Sequence, residues 1–409
     1  MTVSLDDVRA ARERLAAAEG IRETPVMRNE TLSHRVGADV RLKLEQFQKT
    51  GSFKPRGAYN RISELAAGEG ADDVDQIVAA SAGNHAQGVA YAATEQGFDS
   101  LIFMPETAPQ AKIDATEGYG ATVELRGETF AEAMAAAQAR ADDPGVAFVH
   151  AYDDADVIAG QGTLGLELLE QVPDLDTVVV PIGGGGLISG VATAMQAAEQ
   201  DVRVVGVQAE DAATAPQSLK KGEPVENESP DTIADGIATG SLSDRTFEII
   251  EERVDEVVTV SDTEIASATL WLLERTKQMV EGAAAASVAP LLSETIEVDG
   301  TVVPLLCGGN IDIATLQDVL TRALVDRRQF VTLRIRIDDQ PGVLGELASL
   351  VGAHDTNIRS VRHDRSEQGL PVGEADIVMR LTTPGEAAIA GIIDDVEAAG
   401  YRVRDVVPS

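Results

Sequence analysis

The chain has 409 residues, 44% of them hydrophobic and only 3% aromatic, so it is a folded protein of two or three domains with cores of Val, Ile, Leu and Ala. A formal charge of −35, from 68 acidic and 33 basic residues, excludes nucleic acid and anionic membrane surfaces as partners, because both require clustered Lys and Arg. A single cysteine excludes an internal disulfide and fits a reducing compartment.

The acidic surplus is spread along the chain rather than gathered in a tail, a pattern expected of a halophilic protein in which salt screens the self-repulsion. The opening residues Met1 to Asp7 carry neither a basic n-region nor an apolar h-region. Ser4 with Asp7 reads instead as a helix N-cap pair. No apolar run approaches a membrane span, and the expected location is cytoplasmic.

Taken in order, short apolar runs at 40–45, 76–80, 101–104, 122–125, 146–149, 177–181, 202–208, 256–260 and 301–306 read as strands. Amphipathic segments lie between them, among them helices expected over 130–140, 187–199 and 263–279. Residues 220–231 read as a loop. Strands alternating with helices predict mostly parallel α/β sheets covered on both faces. Nine strands are many for one sheet, so residues 1–325 are expected to form two lobes, the smaller near 50–150. From 326 the texture changes, and 331–337 alternates apolar and polar at period two. The order strand, helix, strand, strand, helix, strand then predicts a ferredoxin-like βαββαβ domain over 326–409.

Three strand ends and one lysine carry the chemistry. Lys54, one of only seven lysines, lies in Gln48-Lys49-Thr50-Gly51-Ser52-Phe53-Lys54-Pro55-Arg56-Gly57-Ala58, at the expected start of a helix. Pro55 suits a first helical turn, where unpaired N–H groups and the helix dipole disfavour an ammonium. An amine held there favours its nucleophilic form. The strand at 76–80 runs into Ser81-Ala82-Gly83-Asn84-His85-Ala86-Gln87-Gly88, whose small residues suit a carboxylate or phosphate cradle, or simply a tight turn. His85 alone reads as a structural histidine. After 177–181, Gly183-Gly184-Gly185-Gly186-Leu187 exposes consecutive N–H groups, as a phosphate nest requires. The rival for this run is a dinucleotide fingerprint, with Gly184 and Gly186 as its first glycines, Ser189 at the third position and Glu210 on a ribose. That reading leaves Lys54 without a role. Cys307, in Cys307-Gly308-Gly309-Asn310, is open to three readings: a thiol nucleophile, a buried apolar residue or a weak partner for a heterocycle. No histidine cluster suggests a metal.

A lysine, a phosphate nest and a carboxylate cradle together fit a pyridoxal phosphate (PLP) enzyme acting on amino acids. With Ile233-Ala234-Asp235-Gly236, these motifs resemble, in order along nearly the whole chain, the threonine ammonia-lyases (threonine dehydratases) of the fold-type II PLP family. Asp339-Gln340-Pro341-Gly342-Val343-Leu344 resembles the effector turn of an ACT regulatory domain. The resemblance implies a fold-type II α/β enzyme with a C-terminal ACT domain that deaminates L-threonine to 2-oxobutanoate, with L-serine as secondary substrate. It makes Lys54 the Schiff-base lysine and Cα base. It places the cofactor among Phe53, Lys54, Asn84, Gly183, Gly184, Gly185, Gly186, Leu187, Gly236 and Cys307, and the substrate carboxylate among Ser81, Ala82, Gly83, Asn84 and His85. Asp339 to Leu344 would hold a branched-chain amino-acid effector in a homo-oligomer, dimer or tetramer, at the entry to isoleucine biosynthesis. Racemases of this family carry a serine where Ala82 stands, so elimination is expected over racemisation. Relatives that hold a divalent cation pair the equivalent of Glu210 with a second acid. Here Pro216 stands in that place, and no metal is expected. The remaining alternatives are a serine dehydratase or racemase, an NAD-dependent oxidoreductase and a non-catalytic amino-acid sensor.

Overall fold

A computed structural model describes residues 3–68, 74–365 and 370–406. The chain divides into two compact units, Met1–Asp312 and Ile313–Ser409. The sequence reading ends the first part at 325; by its contacts, the helix Ile313–Asp326 falls in the second unit instead.

The first unit holds β1 (Val26–Arg28), β2 (Asp39–Leu44), β3 (Gln76–Ala80), β4 (Asp99–Met104), β5 (Thr122–Leu125), β6 (Val146–Phe148), β7 (Thr177–Pro181), β8 (Arg203–Ala209), β9 (Glu256–Val260) and β10 (Thr301–Leu306). Six of them form a sheet in the order β1-β2-β10-β7-β8-β9, parallel except for β1. The other four form an all-parallel sheet, β5-β4-β3-β6, in a smaller lobe. The central strands β7 and β10 are buried along their whole length, which is why they read as unbroken apolar runs. β1, three residues long and half-buried, carries no such signal and escapes the sequence.

Ser4 and Asp7 form the expected capping box. Three expectations need correction. The helix expected to 279 ends at Trp271, widens into a π-turn over Leu272–Thr276 and stops at Lys277, a left-handed residue with φ 60°. The helix expected over 187–199 spans Gly186–Met195. The loop expected from 220 begins later, because the helix Ala215–Lys221 runs on to a left-handed Gly222.

The second unit holds β11 (Phe330–Asp338), β12 (Asn357–Asp364), β13 (Glu374–Thr382) and β14 (Arg402–Val406), antiparallel in the order β12-β13-β11-β14. With helices Val343–Gly352 and Glu386–Ala398 this is the βαββαβ arrangement. Val331, Leu333, Ile335 and Ile337 join Leu347, Val351, Ile389 and Ile392 in its core.

Candidate active site

The candidate residues gather at the carboxyl ends of parallel strands from both lobes, where α/β sheets bind ligands. Beyond β2 the chain turns through Thr50 (φ 67°) and Gly51 (φ 74°) before the helix Lys54–Ala67 begins, with Pro55 in its first turn. Left-handed geometry at a β-branched residue is strained, and here the surroundings hold it. Asn310 Nδ2 donates to the Thr50 carbonyl at 2.6 Å, Gly309 N–H to that of Gly51 at 2.9 Å, and Phe53 N–H to that of Cys307 at 3.1 Å. The Lys54 turn and the end of β10 are therefore stitched together.

Lys54 is the first residue of its helix, and its Nζ donates to the carbonyl of Ala151 at 3.1 Å. The Phe53 ring centroid lies 5.1 Å from that nitrogen. Burial, against the pull of Cys307 and Glu281, lowers the ammonium pKa from 10.5 to about 8. Desolvation thus does the work that the sequence reading gave to the helix dipole. Beneath Lys54 the helix is fixed by buried charge. Arg56 donates to both oxygens of Glu45 at 2.9 Å and to Glu167 at 2.7 Å, and Lys43 donates to Glu167 at 2.5 Å.

From the smaller lobe, β3 leads into Ser81 and the helix Asn84–Glu95. Ser81 Oγ accepts from the Gly83 N–H at 3.1 Å. Ala82 packs against the lobe's core. At Gly83 nothing lies within 4 Å of where a Cβ would stand, so this turn faces open space. His85 is buried with Nε2 at 2.9 Å from the Val149 carbonyl. Burial, reinforced by the charge on Lys54, lowers its pKa to about 3, so the ring is neutral and structural, as the sequence suggests.

Gly183 to Gly186 lead into the helix Gly186–Met195, with Gly185 left-handed at φ 90°. The run is enclosed. A Cβ on Gly184 would stand 2.4 Å from two carbons of the Tyr152 ring, and one on Gly186 would lie 2.9 Å from Tyr152 Cβ. A Cβ on Gly183 would lie 3.2 Å from Ile237 Cα and 3.4 Å from the Gly236 carbonyl, which brings Gly236 to the same place. Leu187 is buried in the core of the large lobe and anchors the helix there. The first turn of a helix leaves N–H groups without intrahelical acceptors, and its dipole favours an anion. Beside Gly183, the Thr239 hydroxyl is buried and finds no partner among the described residues; neither does that of Ser52, next to Phe53. An orphaned buried hydroxyl beside a cramped glycine nest, that of Thr239, fits a phosphate-bearing ligand.

Cys307, at the end of β10, is buried, and desolvation aided by the Glu281 charge raises its pKa well above the ordinary range. A thiol so held is a neutral hydrogen-bonding group, not a nucleophile. Glu281 itself is absent from the sequence reading. Its carboxylate accepts from Asn84 Nδ2 at 2.8 and 3.0 Å, and burial raises its pKa although that amide works in the other direction. A Cβ on Gly236 would lie 3.5 Å from its Oε1. Asn310, quoted in its motif but given no role, donates to Asn84 Oδ1 at 2.8 Å. Ala151 and Tyr152 also went unread, since they arrive on the loop after β6 with no motif of their own. Glu210 is exposed at the end of β8, and among the described residues no group of acidic, His and Cys side chains suits a metal.

Residues 2–308 match the family described as pyridoxal-phosphate dependent enzyme. The chain belongs to that family. Its cofactor is PLP, and the Lys54 amine, the Gly183–Gly186 nest and the orphaned Thr239 hydroxyl suit that group. The dinucleotide reading of Gly184, Gly186, Ser189 and Glu210 is thereby set aside. Residues 331–400 match the ACT domain, so the second unit is an ACT domain. The chain is 42% identical to an L-threonine ammonia-lyase of Thermotoga maritima over 405 residues, covering 99% of this chain and 100% of that protein. One from Geobacter sulfurreducens is 42% identical over 389 residues, covering 94% and 95%. Among solved structures, the processed form of threonine deaminase isoform 2 from Solanum lycopersicum aligns with a TM-score of 0.72 at 33% identity, covering 79% of this chain and 90% of that one.

In the ACT domain, Asp339 to Gly342 form the turn between β11 and the helix Val343–Gly352, which Val343 and Leu344 begin. Arg365 Nε donates to Asp339 Oδ2 at 2.6 Å, and His363 Nε2 lies 3.2 Å from Oδ1. Gln340 N–H donates to the Asp338 carbonyl at 2.8 Å, Gly342 is left-handed at φ 99° after Pro341, and Leu344 is exposed.

Proposed function

We propose that the protein is a PLP-dependent threonine ammonia-lyase that converts L-threonine to 2-oxobutanoate and ammonia by eliminating the β-hydroxyl. The observation that carries this reading is Lys54, a desolvated amine with a pKa of about 8 that donates to Ala151, next to the Tyr152 that packs against the glycine nest. The likeness over both units to the two ammonia-lyases named above supports it.

In this reading Gly183, Gly184, Gly185 and Gly186 would hold the cofactor phosphate, Asn84 would bond its 3-oxygen, Gly236 would lie beside it and Cys307 would face its ring nitrogen. When bound, the cofactor would supply an electron sink for Cα, which makes the Cα proton removable. Lys54 Nζ takes that proton, as an amine with a pKa near neutrality is suited to do. The N–H groups of the Ser81–His85 turn orient the substrate carboxylate. Ala82 offers no hydroxyl to reprotonate Cα from the opposite face, which favours elimination over racemisation. Cys307, a neutral thiol, does not compel protonation of the ring nitrogen. The weaker electron sink this would leave suits loss of a β-hydroxyl. The β-hydroxyl and a proton leave together as water, and hydrolysis of the dehydrated amino acid gives the 2-oxo acid and ammonia.

The wider reading is a cytoplasmic homo-oligomer, dimer or tetramer, at the entry to isoleucine biosynthesis, with L-serine as secondary substrate. Isoleucine at Asp339–Leu344 would lower activity and valine would oppose it. The test is direct. Purified enzyme should absorb visible light through its bound cofactor and release 2-oxobutanoate from threonine, and K54A should lose both. A colourless protein that binds no PLP overturns the reading; activity on serine alone replaces the substrate.

A further inference from the structure

A side-chain amide presents an acceptor at one end and a donor at the other, so its use depends on which way round it is held. At Asn84 the structure settles this through a chain of partners beginning at a backbone carbonyl. The Thr50 carbonyl can only accept, so the end of Asn310 that faces it, at 2.6 Å, is Nδ2. The same nitrogen reaches Asn84 at 2.8 Å, so the end of Asn84 facing it is the acceptor Oδ1. Asn84 Nδ2 is then turned to Glu281, whose carboxylate oxygens receive it at 2.8 and 3.0 Å. The chain is anchored at its origin: Thr50 and Gly51 are both left-handed, at φ 67° and 74°, and the Gly51 N–H is tied to the Gln48 carbonyl at 2.9 Å. With one Nδ2 hydrogen given to Glu281, the other is left for a ligand.

We infer that Glu281 and Asn310 are positioning residues that lock the Asn84 amide with its free N–H, rather than its carbonyl, presented to the cofactor. The inference rests on the reading of Asn84 as partner of the cofactor's 3-oxygen. That oxygen is anionic or a strong acceptor, so a reversed amide would set acceptor against acceptor. Glu281 cannot be replaced by its amide without loss, since glutamine offers Asn84 a donor as readily as an acceptor.

The test compares wild type, E281Q, N310D and the double variant as apoenzymes, reading PLP dissociation constant, visible spectrum of the bound cofactor and apoenzyme Tm. E281Q, close in volume to the native residue, should weaken PLP binding about tenfold, the scale of one charge-assisted hydrogen bond, and shift the absorption maximum. N310D should do the same, because an aspartate cannot donate to Asn84. In the double variant the amide introduced at position 281 donates to Asn84 Oδ1, and the carboxylate introduced at position 310 accepts from Nδ2. The Asn84 amide is then satisfied in reverse. Apoenzyme Tm of the double variant should recover above that of N310D while PLP binding and spectrum stay impaired, a split that a merely structural role would not produce. Single variants that bind PLP with wild-type affinity and spectrum overturn the inference while leaving the function intact. So does a double variant that regains both stability and affinity. Wild type that binds no PLP removes the functional reading and the inference with it, and the two failures are thereby told apart.

Discussion

Lys54 is set apart from an ordinary lysine by being dry. Its pKa of about 8 comes from burial, and the neighbouring Cys307 and Glu281 only moderate it. The sign of the consequence follows from proton counting. Between about 8 and 10.5 the unfolded chain binds a proton that the folded apoenzyme has lost, so stability rises with pH across that window. Below it the cost of burying the ammonium is present in full. K54M, which carries no charge, should therefore melt above wild-type apoenzyme at about pH 7 and lose that advantage progressively toward pH 10.5. An advantage constant over this range would mean that Lys54 is not desolvated in the apoenzyme. Legibility at this scale divides by locality. Lys54 and Gly183–Gly186 declare themselves because their demands on the backbone are local. Glu281 is one acid among 68, and its partner Asn84 is almost two hundred residues away, so only the tertiary fold singles it out.

The helix Lys54–Ala67 can hold its first residue in position only if it does not move, and two devices prevent movement. One is ionic: Arg56, nearly wholly buried, spans Glu45 and Glu167, and removing it leaves both carboxylates desolvated without their guanidinium. R56M should cost roughly 3–5 kcal/mol in urea unfolding of the apoenzyme, against under about 1 kcal/mol for an exposed pair such as Arg9 with Asp6. The other is close backbone packing against the helix Ala155–Gln171, where a Cβ on Gly160 would stand 2.7 Å from the Gly57 Cα, and that helix is in turn packed tightly against its own neighbour. A Cβ on Gly190, in the helix that follows the glycine nest, would stand 2.5 Å from the Gly162 nitrogen. G190A should destabilise by about 1–3 kcal/mol or more. G83A has open space and should leave apoenzyme stability within about 0.5 kcal/mol of wild type while raising KM for threonine. Equal losses from G190A and G83A would show that the contrast in space is not what governs these sites. The sequence carries no warning of the Arg56 network, which lies two residues beyond Lys54 inside a motif otherwise read for its lysine and proline. Helix ends are missed for a related reason. The π-turn after Trp271 changes the backbone over Leu272–Thr276, a stretch with no glycine or proline to announce a break.

At the scale of the whole molecule, a charge of −35 acts on everything that the residues and elements build. Acidic groups spread along the chain repel one another over distances set by the Debye length, about 10 Å at 0.1 M salt and about 3 Å at 1 M. Salt should therefore stabilise the fold steeply at first and then level off, once screening is shorter than the spacing between surface carboxylates. Exclusion of salt from apolar surface would behave differently, rising steadily with concentration and without a plateau. The urea midpoint of the holoenzyme should climb between roughly 0.1 and 1 M KCl and flatten above it. It should climb less at a pH near the sequence pI of about 4.4, where protonation has already removed much of the repulsion between carboxylates. A midpoint indifferent to KCl at neutral pH would show that the charge is balanced locally by its ion pairs and leaves no net repulsion for salt to relieve.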